Sequence, residues 1–247
     1  MIVREVRPKG ILSKSKVFDY VVNPYVGCAH GCTYCYAQFM KRFTGHTERW
    51  GEFVDVKVNS PEVLERQISK TPPGEVWISG VCDPYQPLEQ TYELTRKCLG
   101  ILVQHGWPIT IQTKSPLVLR DVDLFEESRD VKVGLSVTTA DDMVRMLFEL
   151  NAPPISQRIK ALEELHLAGI ETYAMIAPML PGAEDLAAVL NGMVDSVLVD
   201  RMNYHYSDRV YRRYDLERAM RDGFFASGAT KLVYEFAQQN TECRVLF

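Results

Sequence analysis

The 247-residue chain has no apolar run long enough to cross a membrane. Its opening, MIVREVRPKGILSKSK, is broken by charge every few residues and lacks the apolar centre of a secretion signal. These absences set the expectation of a cytoplasmic protein with no membrane contact. A basic excess is missing too, since 28 Lys and Arg stand against 32 Asp and Glu for a net charge of −4. That balance argues against tight, non-specific DNA binding but leaves room for a local basic groove. Low-complexity segments, internal repeats and linker-like runs are absent as well. The simplest organisation is therefore one domain over residues 1–247, with a core at about 17–200 and a C-terminal extension at about 201–247. A chain of this length buries about 75% of its unfolded surface, enough for a core without staples.

Cysteine is scarce, but three of the six fall within eight positions, Cys28, Cys32 and Cys35 in NPYVGCAHGCTYCY (23–36). In a reducing compartment clustered thiols are metal ligands or catalytic groups rather than disulfides. Gly27 and Gly31 give the loop freedom to wrap a centre. Three ligands are one short of a closed zinc site, for which only His30 or the distant Cys82 and Cys243 are candidates. An iron–sulfur cluster normally takes four cysteines, so three leave one iron open to a substrate or cosubstrate.

Short β-branched or apolar runs alternate with segments of helical period. FDYVV (18–22), EFVDVKV (52–58), EVWISGV (75–81), PITIQTK (108–114), VKVGLSVTT (131–139), IETYAMIAP (170–178) and SVLVD (196–200) read as strands. YAQFMKRF, SPEVLERQISK, LEQTYELTRKCLGILVQHG, ISQRIKALEELHLAG and EDLAAVLNGM read as helices. Ser60 is the expected N-cap of the second, with Pro61 at its first position, and Gly106 and Gly169 stop the third and fourth. The alternation predicts an α/β fold, a parallel sheet covered by helices. Chemistry then belongs at the carboxyl ends of the strands. Cys82, Asp83, Lys114, Ser136, Thr138, Pro178, Asp200 and Arg201 all fall there.

The cysteine spacing, with Tyr34 just before the third cysteine, resembles the signature of the radical S-adenosylmethionine (radical SAM) superfamily. NPYVGCAHGCTYCYA is similar to the cluster loop of the subgroup that includes spore photoproduct lyase. SGVCDPYQPLEQTYELTRKCLGIL, IQTKSPLVLRD, VGLSVTTAD and FELNAPPISQRIKALEELHLAGIETYAMIAPMLPG resemble its later segments in order, covering about residues 17–190. The resemblance implies a partial (β/α)6 TIM-like barrel, here with a small C-terminal helical extension. It also implies a 4Fe-4S cluster on Cys28, Cys32 and Cys35, and S-adenosylmethionine cleaved reductively to a 5′-deoxyadenosyl radical that abstracts hydrogen from a substrate. An external one-electron reductant of the flavodoxin or ferredoxin type would be required.

The same resemblance assigns Tyr34 to packing beside the cofactors, Lys114 to the SAM carboxylate and Ser136, with Thr138 on the same face, to the ribose or methionine portion. Ser79, Gly80 and Asp83 stand by location where a Gly-Gly-Glu-like stretch would meet the SAM amino group. Glu149 and Arg158 match a Glu-Pro…Arg pattern, with Leu150 in the proline's place, and a bracing salt bridge is the competing reading. Cys82 lies two residues from the position, here Gly80, of the lyase's hydrogen-donating cysteine. It is a candidate hydrogen-atom donor or substrate contact, against a buried structural thiol.

The segment 200–221 holds six arginines and four tyrosines, suited to stacking on bases and meeting phosphates. Nearby acids make Arg212, Arg213 and Arg218 better read as a solvated helix face. Asp200, Arg201 and Asn203, just after the last strand, are the substrate-side candidates. A nucleic acid or nucleotide is the expected substrate class, a peptide or small metabolite the next. The alternative of another class is a zinc- or cluster-binding module without SAM chemistry.

Overall fold

The computed structural model describes residues 1–128 and 130–246, and the chain divides into two compact units. The first comprises Met1–Gly31 and Ala37–Val133; the second comprises Cys32–Tyr36 and the residues from Gly134 on. No helix among the described residues is long and apolar enough to cross a membrane.

In the first unit β1 (Ile2–Val6), β5 (Phe53–Lys57) and β4 (Tyr25–Val26) form a small sheet, β1 parallel to β5 and β4 antiparallel to it. The sequence placed FVDVK in the main parallel sheet. It has a sheet of its own instead, and its burial comes from lying between two short neighbours whose sequences carry little strand signal. The main sheet of this unit runs β2 (Leu12–Lys14), β3 (Tyr20–Val22), β6 (Val76–Ile78) and β7 (Ile109–Thr113). β3, β6 and β7 are parallel, with Tyr20 beside Val76 and Val76 beside Ile109. β8 (Val131–Ser136) begins in the first unit and ends in the second.

The helices of this unit are α1 (Ser60–Ile68), α2 (Glu89–Tyr92), α3 (Leu94–Gln104) and α4 (Val122–Glu127). Asn59 rather than Ser60 is the N-cap residue of α1, and the Ser60 hydroxyl turns back to the Lys57 carbonyl at 2.6 Å. The single helix expected over LEQTYELTRK breaks at Glu93, which is left-handed at φ 52°. The buried Glu89 carboxylate causes the break by accepting the N–H groups of Thr95 at 3.0 Å and Arg96 at 3.1 Å, capping α3 from a residue of α2. YAQFMKRF forms a 3-10 helix, Tyr36–Phe43.

The second unit contains β9 (Glu171–Ile176), β10 (Ser196–Val199) and β11 (Glu242–Val245), with β9, β10 and β11 parallel. Its helices are α5 (Asp142–Phe148), α6 (Ile155–Leu167), α7 (Leu186–Val189), α8 (Asp208–Arg213) and α9 (Asp222–Gln238). EDLAAVLNGM yields a 3-10 turn and the single turn of α7. α6 buries Ile155, Ala161, Leu162 and Leu165 on one stripe. The C-terminal extension is helical through α9 and then returns to the sheet as β11, a strand that four mostly exposed residues, ECRV, do not announce.

Candidate active site

The first two-thirds of the cysteine loop belong to the first unit, where Gln86 and Asp83, far away in sequence, hold it. Gln86, fully buried, accepts from Ala29 N at 2.9 Å and donates to the Gly27 carbonyl at 3.3 Å. Gly27 is required as such: its φ is +88°, and a Cβ there would stand 2.4 Å from the Phe53 carbonyl oxygen. Gly31 N closes a turn on the Cys28 carbonyl at 3.2 Å.

His30, inside the loop, is buried with Nδ1 3.4 Å from Asp83 Oδ2, an ion-pair contact. Burial opposes a charge on this imidazole, but Asp83 and then the Cys28 sulfur outweigh it and lift the pKa to about 10. Burial likewise opposes ionisation of Asp83, yet His30, Thr113 and the Lys114 N–H bring it down to about 2. The Asp83 carboxylate accepts from Thr113 Oγ1 at 2.5 Å, Lys114 N at 2.7 Å and Tyr85 N at 2.9 Å. Asp83 thus ties the cysteine loop to the end of β7, where Lys114 emerges.

After β6, Asn23 Oδ1 accepts from Ser79 Oγ at 2.7 Å, Gly80 N at 2.8 Å and Val81 N at 3.1 Å. No local signal marks Asn23 for this part, since its bonds reach 56 to 58 residues along the chain. Cys82 Sγ lies 3.1 Å from Ser79 Oγ and donates to the Tyr25 carbonyl at 3.4 Å. Burial pushes this thiol up to about 12, so it stays protonated.

The rest of the loop, Cys32–Tyr36, belongs to the second unit. Cys32 bridges Glu149 in an antiparallel pair, and Thr33 N donates to the Phe148 carbonyl at 2.8 Å. The Tyr34 hydroxyl donates to Glu149 Oε1, which also accepts from Thr138 Oγ1 at 3.0 Å. Glu149 Oε2 takes Arg158 at 2.5 Å, and Arg158 further donates to the carbonyls of Ser136 and Pro153, each at 2.9 Å. Glu149 and Arg158 therefore form the bracing salt bridge, and it braces the cysteine loop itself. Burial, then Glu149, holds the Tyr34 phenol well above its ordinary pKa.

Asp200, just after β10, accepts from Arg201 N and Asn203 Nδ2, both at 2.8 Å, which shapes the turn leading to Tyr204. Burial raises the Asp200 pKa. Tyr204 and Tyr206 stack with centroids 5.6 Å apart and planes 5° from parallel, each about half exposed. Thr33 Oγ1 and Ser207 Oγ are 2.8 Å apart, joining this tyrosine pair to the cysteine loop.

All six cysteines are free of disulfides, and Cys28 and Cys32 are buried. Among the described residues no three His, Cys, Asp or Glu side chains converge on a single-ion site, so the candidacy of the three loop cysteines rests on their spacing. Those thiols, on a loop held from both ends, fit the ligand set of an iron–sulfur cluster.

An α/β fold with a cysteine-bearing loop of this kind defines a class of enzyme. A family model, that of the Radical SAM superfamily, matches residues 22–189, and the chain belongs to that superfamily. An uncharacterised protein of Methanocaldococcus jannaschii is 36% identical over 171 residues, covering 69% of this chain and 64% of its own. A Radical SAM Nα-GlyT isomerase of Pseudomonas phage M6 is 27% identical over 237 residues, covering 87% of this chain and 48% of its own. The chain thus spans less than two thirds of either relative. A spore photoproduct lyase variant with bound AdoMet and dinucleoside spore photoproduct has the same fold, with a TM-score of 0.71 at 15% identity, covering 99% of this chain and 81% of that one.

Proposed function

We propose that this enzyme holds a 4Fe-4S cluster on Cys28, Cys32 and Cys35 with S-adenosylmethionine beside it, and acts on a nucleic acid or nucleotide. In this reading residues 1–247 work as one domain in the cytoplasm, served by an external one-electron reductant of the flavodoxin or ferredoxin type. The observation that supports it is the loop of three closely spaced cysteines outside any disulfide, braced by Gln86 and Asp83 on one side and Glu149 on the other. The bound cluster and SAM supply reductive cleavage of SAM to a 5′-deoxyadenosyl radical, which takes hydrogen from the substrate.

The chain's own residues bind and orient. Lys114 meets the SAM carboxylate. Ser79 and Gly80, pinned by Asn23, face the SAM amino group, while Ser136 and Thr138 lie towards the ribose or methionine portion. Asp83 has its oxygens occupied by the protein and serves by placing His30 and Lys114. Cys82, a protonated thiol, is a hydrogen-atom donor or substrate contact.

The exposed Tyr204–Tyr206 stack, one residue from the Thr33–Ser207 bond, supports a planar substrate carried on an anionic backbone. Asp200, Arg201 and Asn203 order that entrance. The dinucleoside bound by the spore photoproduct lyase variant supports the same class.

Anaerobic reconstitution followed by iron, sulfide and 5′-deoxyadenosine analysis tests the chemistry. Zinc without iron–sulfur absorption, or a reduced cluster that never yields 5′-deoxyadenosine, refutes it. Salt-dependent binding of single-stranded oligonucleotides tests the substrate class.

A further inference from the structure

Strand β11 runs parallel to β10, and among the described residues no strand pairs with its other edge. In a parallel ladder, alternate residues turn their N–H and C=O to the same neighbour. Leu246 N donates to the Val199 carbonyl at 2.7 Å, so Leu246, Arg244 and Glu242 face β10. The backbone groups of Cys243 and Val245 therefore point to the open edge.

Beside that edge, α9 has two apolar stripes. Leu232 and Phe236 are fully buried within the unit. Phe225, Ala226, Val233, Tyr234 and Ala237, with Val245 of β11, instead line an open apolar groove of about 650 Å³. Tyr234 is 66% exposed. A strand edge and a helix stripe thus lie open side by side, the two parts that a further strand and helix would cover.

We propose that a second copy of this chain docks here as a two-fold dimer, with β11 paired antiparallel to its mate about Cys243 and the open stripes of the two α9 helices in contact. The sequence of the edge selects the partner, because Glu-Cys-Arg read backwards is its own charge complement. In this register Cys243 exchanges both backbone hydrogen bonds with Cys243 of the second copy. Glu242 then stands opposite Arg244 of the second copy, twice, at the closely spaced non-hydrogen-bonded positions. Both charges are available, about two-thirds exposed and, among the described residues, paired along their own strand at 3.2 Å. Ala226 and Ala237 let the helices approach closely.

Light scattering on the full chain at micromolar concentrations should give twice 28.2 kDa. Glu242→Arg and Arg244→Glu each bring like charges face to face and should weaken association roughly tenfold or more. The double variant Glu242→Arg/Arg244→Glu restores opposite pairs and should recover the dimer. A short bis-maleimide should give a covalent dimer that Cys243→Ser abolishes. A monomer at every concentration, a dimer indifferent to the single reversals, or a double variant no better than the singles overturns the proposal. Unchanged circular dichroism in the variants separates lost docking from lost folding.

Discussion

Glu149 and Arg158 lie 2.5 Å apart, carboxylate to guanidinium, and neither side chain is exposed to solvent. Charges this deep are tolerated only when every polar atom is engaged, and here the engaged atoms reach the cysteine loop through Tyr34 and the β8 end through Ser136 and Thr138. The pair is therefore a clamp on the loop as well as a stabilising contact.

Glu149→Gln keeps the shape but leaves the Arg158 charge uncompensated, and should cost about 3–5 kcal/mol in urea unfolding of the metal-free protein. Tyr34→Phe removes one hydrogen bond to a charged acceptor and should cost about 1.5–3 kcal/mol. Both variants, once reconstituted, should lose iron to a chelator faster than wild type. Wild-type iron retention in Glu149→Gln would remove the clamp from the account.

The Asp83–His30 pair predicts a pH profile for stability. Asp83 is depressed to about 2, so its contribution is present above its ordinary value near 4 and is lost as pH falls through about 2. His30 is raised to about 10, so its contribution is complete below about 6.5 and is lost as pH rises through about 10. Stability should peak between roughly pH 4 and 6.5, with about 2 kcal/mol of the acid-side slope removed in Asp83→Asn. Urea titrations of the metal-free protein across pH measure this, and an unchanged profile in Asp83→Asn would show that the pair is not the source.

How far the sequence reaches follows the range of the forces involved. Seven strands were legible because β-branched runs bounded by turn residues need only local information. β11 was not, because a four-residue edge with Glu242 and Arg244 outward has no apolar alternation to read. FVDVK was recognisable as a strand, but its partners β1 and β4 are tertiary facts. The helix break at Glu93 was hidden for the same reason, since continuous helical periodicity runs across it and the Glu89 carboxylate decides the matter. In the site, the cysteine spacing was local and readable. The residues that hold the loop, Gln86 and Glu149, act across 57 to 115 residues of chain. Glu149 had only its pairing with Arg158 as a sign.

Replacing Cys28, Cys32 or Cys35 singly with Ala should abolish the iron–sulfur absorption of the reconstituted protein and drop iron from about four per chain to a small residue. Cys98→Ala, a change at a fully buried thiol of α3, should keep the iron while lowering thermal stability. Iron retained in any of the three loop variants would mean that another residue completes the site.

Tyr204→Ala and Tyr206→Ala test the substrate side without touching the ligands. Base stacking on an aromatic platform contributes about 1–3 kcal/mol per base, so each variant should weaken single-stranded oligonucleotide binding by roughly 5- to 150-fold. Tyr204→Phe should bind nearly as well as wild type, because the ring face rather than the hydroxyl does the stacking. Uncoupled formation of 5′-deoxyadenosine from SAM should persist in all three, since the stacked pair lies on the segment after β10 and the proposed cofactor contacts are made by other residues. If Tyr204→Ala and Tyr206→Ala bound oligonucleotides as tightly as wild type, the stack would be a surface ornament and the substrate would have to enter elsewhere.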